Sequence, residues 1–221
     1  MQLAQIKIEL LEGCNRLVSK GFLHSPADSF SLRVPGKMAM VLVSEHKDWS
    51  DLSVVDVRVV PFSVKDDSSR LHAYIYEQRG DVGAVAVSSP RGVRLLASCG
   101  DPLPPIFDEQ VRHIGTSAGS LADEEAIRKG KLWKTFEKGG NAALLGEQLV
   151  CLGMTRDRAL FNTELYEKCA RAYVIAKACD RRISRVPFWV RLIANRRLLK
   201  DEAVARTSYS EGRIPEAINA Y

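Results

Sequence analysis

The stretch RGDVGAVAVSSPRGVRLLAS, residues 79–98, decides the fold. Gly83 to Val87 form a short unbroken apolar run, GAVAV, the pattern of a strand buried on both faces. Ser88, Ser89 and Pro90 follow at once. Serine oxygens accept hydrogen bonds from the free amides of a helix start, and proline is preorganised for the first turn. The pattern therefore predicts a helix over RGVRLLAS, capped by serine. A buried strand, a short turn and a helix in succession are a building unit of α/β proteins.

Working outward, the N-terminal flank opens on a helix. Leu3, Ile6, Leu10, Cys14 and Leu17 recur at spacings of three and four, and Gly21 stops the helix. Phe30, Leu32 and Val34 alternate with polar residues, and MAMVLV (38–43) and VVDVRVV (54–60) read as further strands. Residues 68–79 predict a helix with Ser68 or Ser69 as its cap. On the C-terminal flank, DPLPP (101–105) must be a loop, and residues 106–114 and 121–138 predict helices, the second stopped by Gly139-Gly140. AALL (142–145) and LVCLG (149–153) predict a hairpin or two paired strands. Thr155 caps a long helix to about residue 179, and a basic helix follows Pro187. Interleaved helices and strands predict an α/β sandwich around a mixed sheet.

Composition excludes several classes. With 221 residues, 46% of them apolar, the chain is too hydrophobic for disorder and long enough for a substantial core. No run approaches the roughly 20 apolar residues of a membrane span. Glu9 and Glu12 interrupt the start where a signal peptide needs an apolar run. Five cysteines without a C-x-x-C pair fit a reduced, cytoplasmic protein. Cys14, Cys151, Cys169 and Cys179 read as inert core residues, leaving Cys99, beside Gly100, as the thiol to test. The net charge of +5 permits an anionic ligand without demanding one.

Periodicity identifies no activity. However, residues 79–98 resemble the strand-turn-helix of the class II aldolase and adducin head-domain family, which reads R-P-D-V-x-A-V-V-H-x-H-S-P. LPPIFDEQVRHIG (103–115) is similar to that family's proline-rich loop and short helix. NAALLGEQLVCLGMTRDRALFNTELYEKCARAYVIAKA (141–178) resembles its strand pair and long helix, and LVSKGFL (17–23) and DDSSRLH (66–72) also match. The resemblance implies a three-layer α/β/α sandwich with a mixed, largely antiparallel central sheet. It sets a class II aldolase-like domain at 1–180, with 181–221 as a basic C-terminal helix and tail.

The resemblance extends to the scaffold and not to the chemistry. Active members hold zinc through the H-x-H pair and the histidine of an H-G motif, and a glutamate moves protons. Here Val87-Ser88-Ser89 stands at the H-x-H position and Gly146-Glu147-Gln148 at the H-G position. Arg70 stands where the glutamate follows the serine pair. The four remaining histidines, His24, His46, His72 and His113, form no pair at i,i+2 or i,i+4. No metal and no cofactor is expected.

The family's phosphate subsite is retained in part. It implies contacts from Ser44, Ser68 and Ser69 to a small phosphorylated or carboxylated anion, with Arg70 as a compensating clamp, and in a rebuilt site of the same cleft Ser88 and Ser89 add ligand contacts. Ala27-Asp28 stands at the Gly-Asn turn and would put a carboxylate beside that anion. The bland alternative is that Ser68 and Ser69 cap a helix while Arg70 faces water. If chemistry persists, Glu147 as general base and Arg70 as anion clamp would support a metal-free lyase or isomerase step. Otherwise the domain oligomerises or binds a ligand, as a tetramer by resemblance; active members reach over with a C-terminal tyrosine, and this chain ends in Tyr221.

The segment DRRISRVPFWVRLIANRRLLK (180–200) carries seven basic residues against one acidic. It offers a third reading, an anionic-surface or nucleic-acid binder with Phe188, Trp189, Leu192 and Ile193 as an apolar face. The commoner arrangement is a helix packed on that face with its basic side in solvent, so nucleic acid and membrane stand last among expected partners.

Overall fold

The computed structural model describes residues 3–64, 67–116, 119–121 and 131–216. They divide into two compact units. One comprises residues 1–88, 152–160 and 201–221, the other residues 89–151 and 161–200.

The first unit begins with α1 (Leu3–Ser19), whose buried positions Ile6, Leu10, Cys14 and Leu17 are those of the predicted stripe. Leu3, the first residue of the helix, is 39% exposed. Gly21 adopts φ +70° and ends the helix as expected. Strands β1 (Ser29–Arg33), β2 (Ala39–Ser44) and β3 (Arg58–Pro61) pair antiparallel in sequence, and β1 also pairs antiparallel with β4 (Ala84–Ser88). The Phe30 ring lies under Gly13 of α1. Ser29 and Ser31, on the opposite face of β1, bond to His72 and Tyr76 of α2 (Asp67–Gln78). The alternation of β1 therefore places α1 on one face of the sheet and α2 on the other, an α/β/α arrangement within this unit.

Two details differ from expectation. Only Arg58–Pro61 of the VVDVRVV run is strand; Val54–Asp56 is a single 3-10 turn. The Asp56 carboxylate accepts the Ser53 amide at 2.9 Å and hydroxyl at 2.8 Å, which holds the turn. Helix α2 already starts at Asp67, so Ser68 and Ser69 lie inside its first turn rather than before it.

The second unit contains α3 (Arg91–Ser98), α4 (Asp108–His113), β5 (Gly119–Leu121), α5 (Lys131–Phe136), β6 (Ala142–Leu145) and most of β7 (Gln148–Gly153). Residues 101–105 form the expected loop. The predicted helix over 121–138 is realised at Lys131–Phe136, Leu121 belongs to β5, and 122–130 lie outside the described residues. β6 and β7 form the predicted hairpin, with Leu145 opposite Gln148. Gly146 and Glu147 make its two-residue turn, and Gly146 takes φ +59°, the conformation such turns demand. β5 pairs parallel with β6, so the strands are mixed and mostly antiparallel.

α6 (Arg156–Ala178) starts in the first unit and continues in the second. Thr155 caps it, its hydroxyl accepting the Arg158 amide at 3.2 Å. α7 (Phe188–Ser210) follows Pro187 and runs to Ser210. In the first unit its C-terminal half is anchored by buried charges: Arg79 pairs with Asp81 at 2.6 Å and Glu202 at 3.0 Å. No described helix is long and apolar enough to cross a membrane.

Candidate functional site

Two of the predicted polar residues of the first unit, Ser44 and Ser88, lie at one end of its sheet. Ser29 stands opposite Ser44 on β2 and opposite Val87 on β4. Asp28 and Ser88 are the next residues beyond that row. The first turns of α2 are fixed beside it, because Ser29 Oγ lies 2.7 Å from His72 Nε2. This row brings Ser44 and Ser88 to one end of one sheet, with Ser69 one helical turn ahead of His72, while Arg70 lines a separate cavity with Phe62, Ser63 and Val64. Ser89 and Glu147 belong to the second unit, where Ser89 is buried and Glu147 is exposed in the hairpin turn. The side chain of Ser68 lies outside the described residues.

Each member has a distinct environment. Ser88 is fully buried and its Oγ has no hydrogen-bond partner among the described residues. A buried hydroxyl left unpaired costs roughly 1–3 kcal/mol. Ser69 is buried in the first turn of α2. Ser44 is half-buried and accepts a hydrogen bond from Arg58 Nη2 at 2.6 Å. Arg70 is exposed and lines a cavity of about 380 Å³ with Ser63, Tyr74 and Glu77.

Asp28 lies in the loop that leads into β1. It is fully buried, and its Oδ2 accepts the amides of His24 at 2.8 Å and Ser25 at 2.7 Å. The carboxylate closes its own loop, which orders the entry to β1.

His72 is the residue that motif reading placed on a helix without a role. Its ring is clasped between Ser29 Oγ at Nε2 and Ser31 Oγ at Nδ1, both at 2.7 Å. Ser31 Oγ is also 2.9 Å from the Tyr76 hydroxyl. Burial pushes the His72 pKa down to about 3, so the ring is neutral at physiological pH. With both nitrogens in use it is a spacer that sets Ser29 and the start of α2. The alternation of serines in SFSLR was the available signal, since two hydroxyls on one face of a buried strand need a polar partner.

In the second unit, α3 is not capped by serine. Pro90 is its N-cap residue and provides no side-chain bond. The Glu167 carboxylate of α6 does this work, accepting the amides of Gly92 at 2.9 Å and Val93 at 3.0 Å. Arg171 Nε donates to Glu167 Oε1 at 2.6 Å. Of the cysteines, Cys14, Cys151 and Cys169 are buried as expected, and burial pushes Cys151 and Cys169 up to about 12. Cys179 is exposed, contrary to its apolar-context reading, because the helix ends there in solvent.

The donor chemistry does not suit zinc. Val87 and Ser89 supply an alkyl group and a neutral hydroxyl at the two positions where imidazoles are needed. No group of three or more His, Cys, Asp or Glu side chains is arranged to hold a metal among the described residues.

Comparison with known proteins gives a consistent assignment. The chain aligns with solved structures of an L-fuculose 1-phosphate aldolase (TM-score 0.76, 20% identity, 90% of this chain and 98% of that one) and of the L-fuculose 1-phosphate aldolase from Glaciozyma antarctica PI12 (TM-score 0.73, 17% identity, 96% and 92%). It also aligns with an aldolase II superfamily protein from Pseudomonas syringae (TM-score 0.71, 15% identity, 88% and 84%). At these identities the likeness establishes the fold. No curated protein matches by sequence. The family model of the class II aldolase and adducin N-terminal domain matches residues 8–174. The chain belongs to the class II aldolase and adducin N-terminal domain family.

Proposed function

We propose that this domain is a class II aldolase-like ligand-binding or oligomerising protein without zinc-dependent aldol chemistry. The observation that supports this is the end of β4: Val87 and Ser89 stand at the two H-x-H histidine positions and neither carries an imidazole, while Ser88 between them is buried. The serine edge and Arg70 then serve a small phosphorylated or carboxylated anion, held by hydroxyls and one guanidinium. We assign residues 1–180 to this domain and 181–221 to its basic C-terminal extension; the protein is cytoplasmic and assembles with copies of itself, a tetramer on the family pattern.

The alternative is a metal-free lyase or isomerase in which Arg70 grips the anion and Glu147 takes a proton. The two readings separate experimentally. Inorganic phosphate and small sugar phosphates should raise the melting temperature of the wild type and not of Arg70→Ala, with no turnover of any sugar phosphate. Turnover abolished by Glu147→Gln would establish the alternative. Absence of any thermal shift across phosphates and carboxylates would remove the anion site.

A further inference from the structure

The start of α7 reverses the expectation that its aromatic face would be packed. Of that face Phe188, Trp189 and Ile193 are 59, 71 and 55% exposed and Leu192 is half-buried, and the neighbouring Val190 is 41% exposed. Arg181, Arg182 and Arg185 precede the helix and Arg196, Arg197 and Lys200 follow one to two turns along it, all exposed, and none forms an ion pair among the described residues. An apolar cluster flanked in the chain on both sides by cations without ion pairs fits an occupant that is anionic at its rim and apolar beneath. A second copy of this face would bring arginines against arginines.

Lipid fits better than nucleic acid. Single strands bind by stacking bases on open aromatic faces. Here Phe188 and Trp189 pack edge to face, 5.3 Å apart at 69°, and the Arg191 guanidinium lies over the Phe188 ring at 5.9 Å. The aliphatic side chains of Val190 and Ile193 offer a base nothing to stack on. A lipid surface takes the same set well: tryptophan and aliphatic groups enter the headgroup boundary while arginines meet phosphates and carboxylates.

We propose that the α7 entry is a peripheral docking surface for anionic phospholipid bilayers, with Trp189 and Ile193 inserting and Arg196 and Arg197 pairing with headgroups. The test is co-sedimentation of the full-length protein with vesicles of phosphatidylcholine alone and with about one-quarter phosphatidylserine. Anionic vesicles should pellet the protein at least about tenfold better, and added salt should weaken this. Trp189→Ser with Ile193→Ser should abolish pelleting, and Arg196→Glu with Arg197→Glu should reduce it about tenfold or more. Both pairs are solvent-exposed, so far-ultraviolet circular dichroism should be unchanged. Three results would overturn the proposal: no pelleting above the phosphatidylcholine baseline, binding to single-stranded RNA with none to vesicles, or a wild-type oligomer that Trp189→Ser with Ile193→Ser splits, which would make this face a contact between copies.

Discussion

Glu167 caps a helix from far along the chain, its carboxylate receiving the amide of Gly92, 75 residues earlier, at 2.9 Å. It also takes the Val93 amide at 3.0 Å, so two of the orphan donors of α3 are satisfied by one buried charge. Glu167→Ala leaves those amides buried without acceptors. Denaturant unfolding should show a loss of roughly 2–3 kcal/mol, above an ordinary cap because the acceptor is charged and buried. Gly92→Ala should be costly for a related reason, since a Cβ would meet Glu167 Oε2 at 2.8 Å and Arg171 Cγ at 2.6 Å. A loss below about 0.5 kcal/mol in Glu167→Ala would contradict this assignment.

His72 predicts a dependence of stability on acid. Its folded pKa of about 3 lies below the usual value of 6.5, and burial is the cause. The unfolded chain therefore binds a proton between these values and the folded chain does not. Stability from this group is complete above pH 6.5 and falls as pH drops, at up to about 1.4 kcal/mol per pH unit, until pH 3. His72→Gln should flatten that slope in urea titrations between pH 6.5 and 4, while lowering stability at neutral pH. An unchanged slope would show that His72 is not the titrating group.

Gly83 predicts intolerance of a single methyl. A Cβ there would collide with the Tyr209 hydroxyl and the Met154 carbonyl, which are bonded to each other at 2.9 Å. One of those atoms belongs to the backbone and cannot swing away. Gly83→Ala should cost about 2 kcal/mol or more, whereas Tyr209→Phe, which removes only the hydroxyl, should cost about 1 kcal/mol. Thermal melts of the two variants give the comparison; equal effects would mean that the backbone relaxes.

The sequence made local elements legible and distant partners invisible. The stripe of α1, the GAVAV strand, the Gly146-Glu147 hairpin and the Thr155 cap are short-range patterns, and all are present. The α3 cap was misassigned to nearby serines because its real acceptor is Glu167, far along the chain. VVDVRVV has strand composition, yet Val54, Val55 and Val59 are 48, 90 and 47% exposed, and the Ser53–Asp56 bonds divert the chain into a turn. Asp28 was read from its motif position, which did not show that its carboxylate accepts the amides of His24 and Ser25. At the candidate site, residue types fixed what was missing, while only the strand register showed that Ser44, Ser29 and Ser88 share an edge.

The most direct measurement is zinc titration of the purified protein by calorimetry, followed by elemental analysis after desalting. With Ser88 and Ser89 at the strand end and Glu147 in an exposed turn, the protein should retain far less than one equivalent of zinc per chain and cleave no sugar phosphate. Stoichiometric, tightly held zinc accompanied by aldol cleavage would contradict the account.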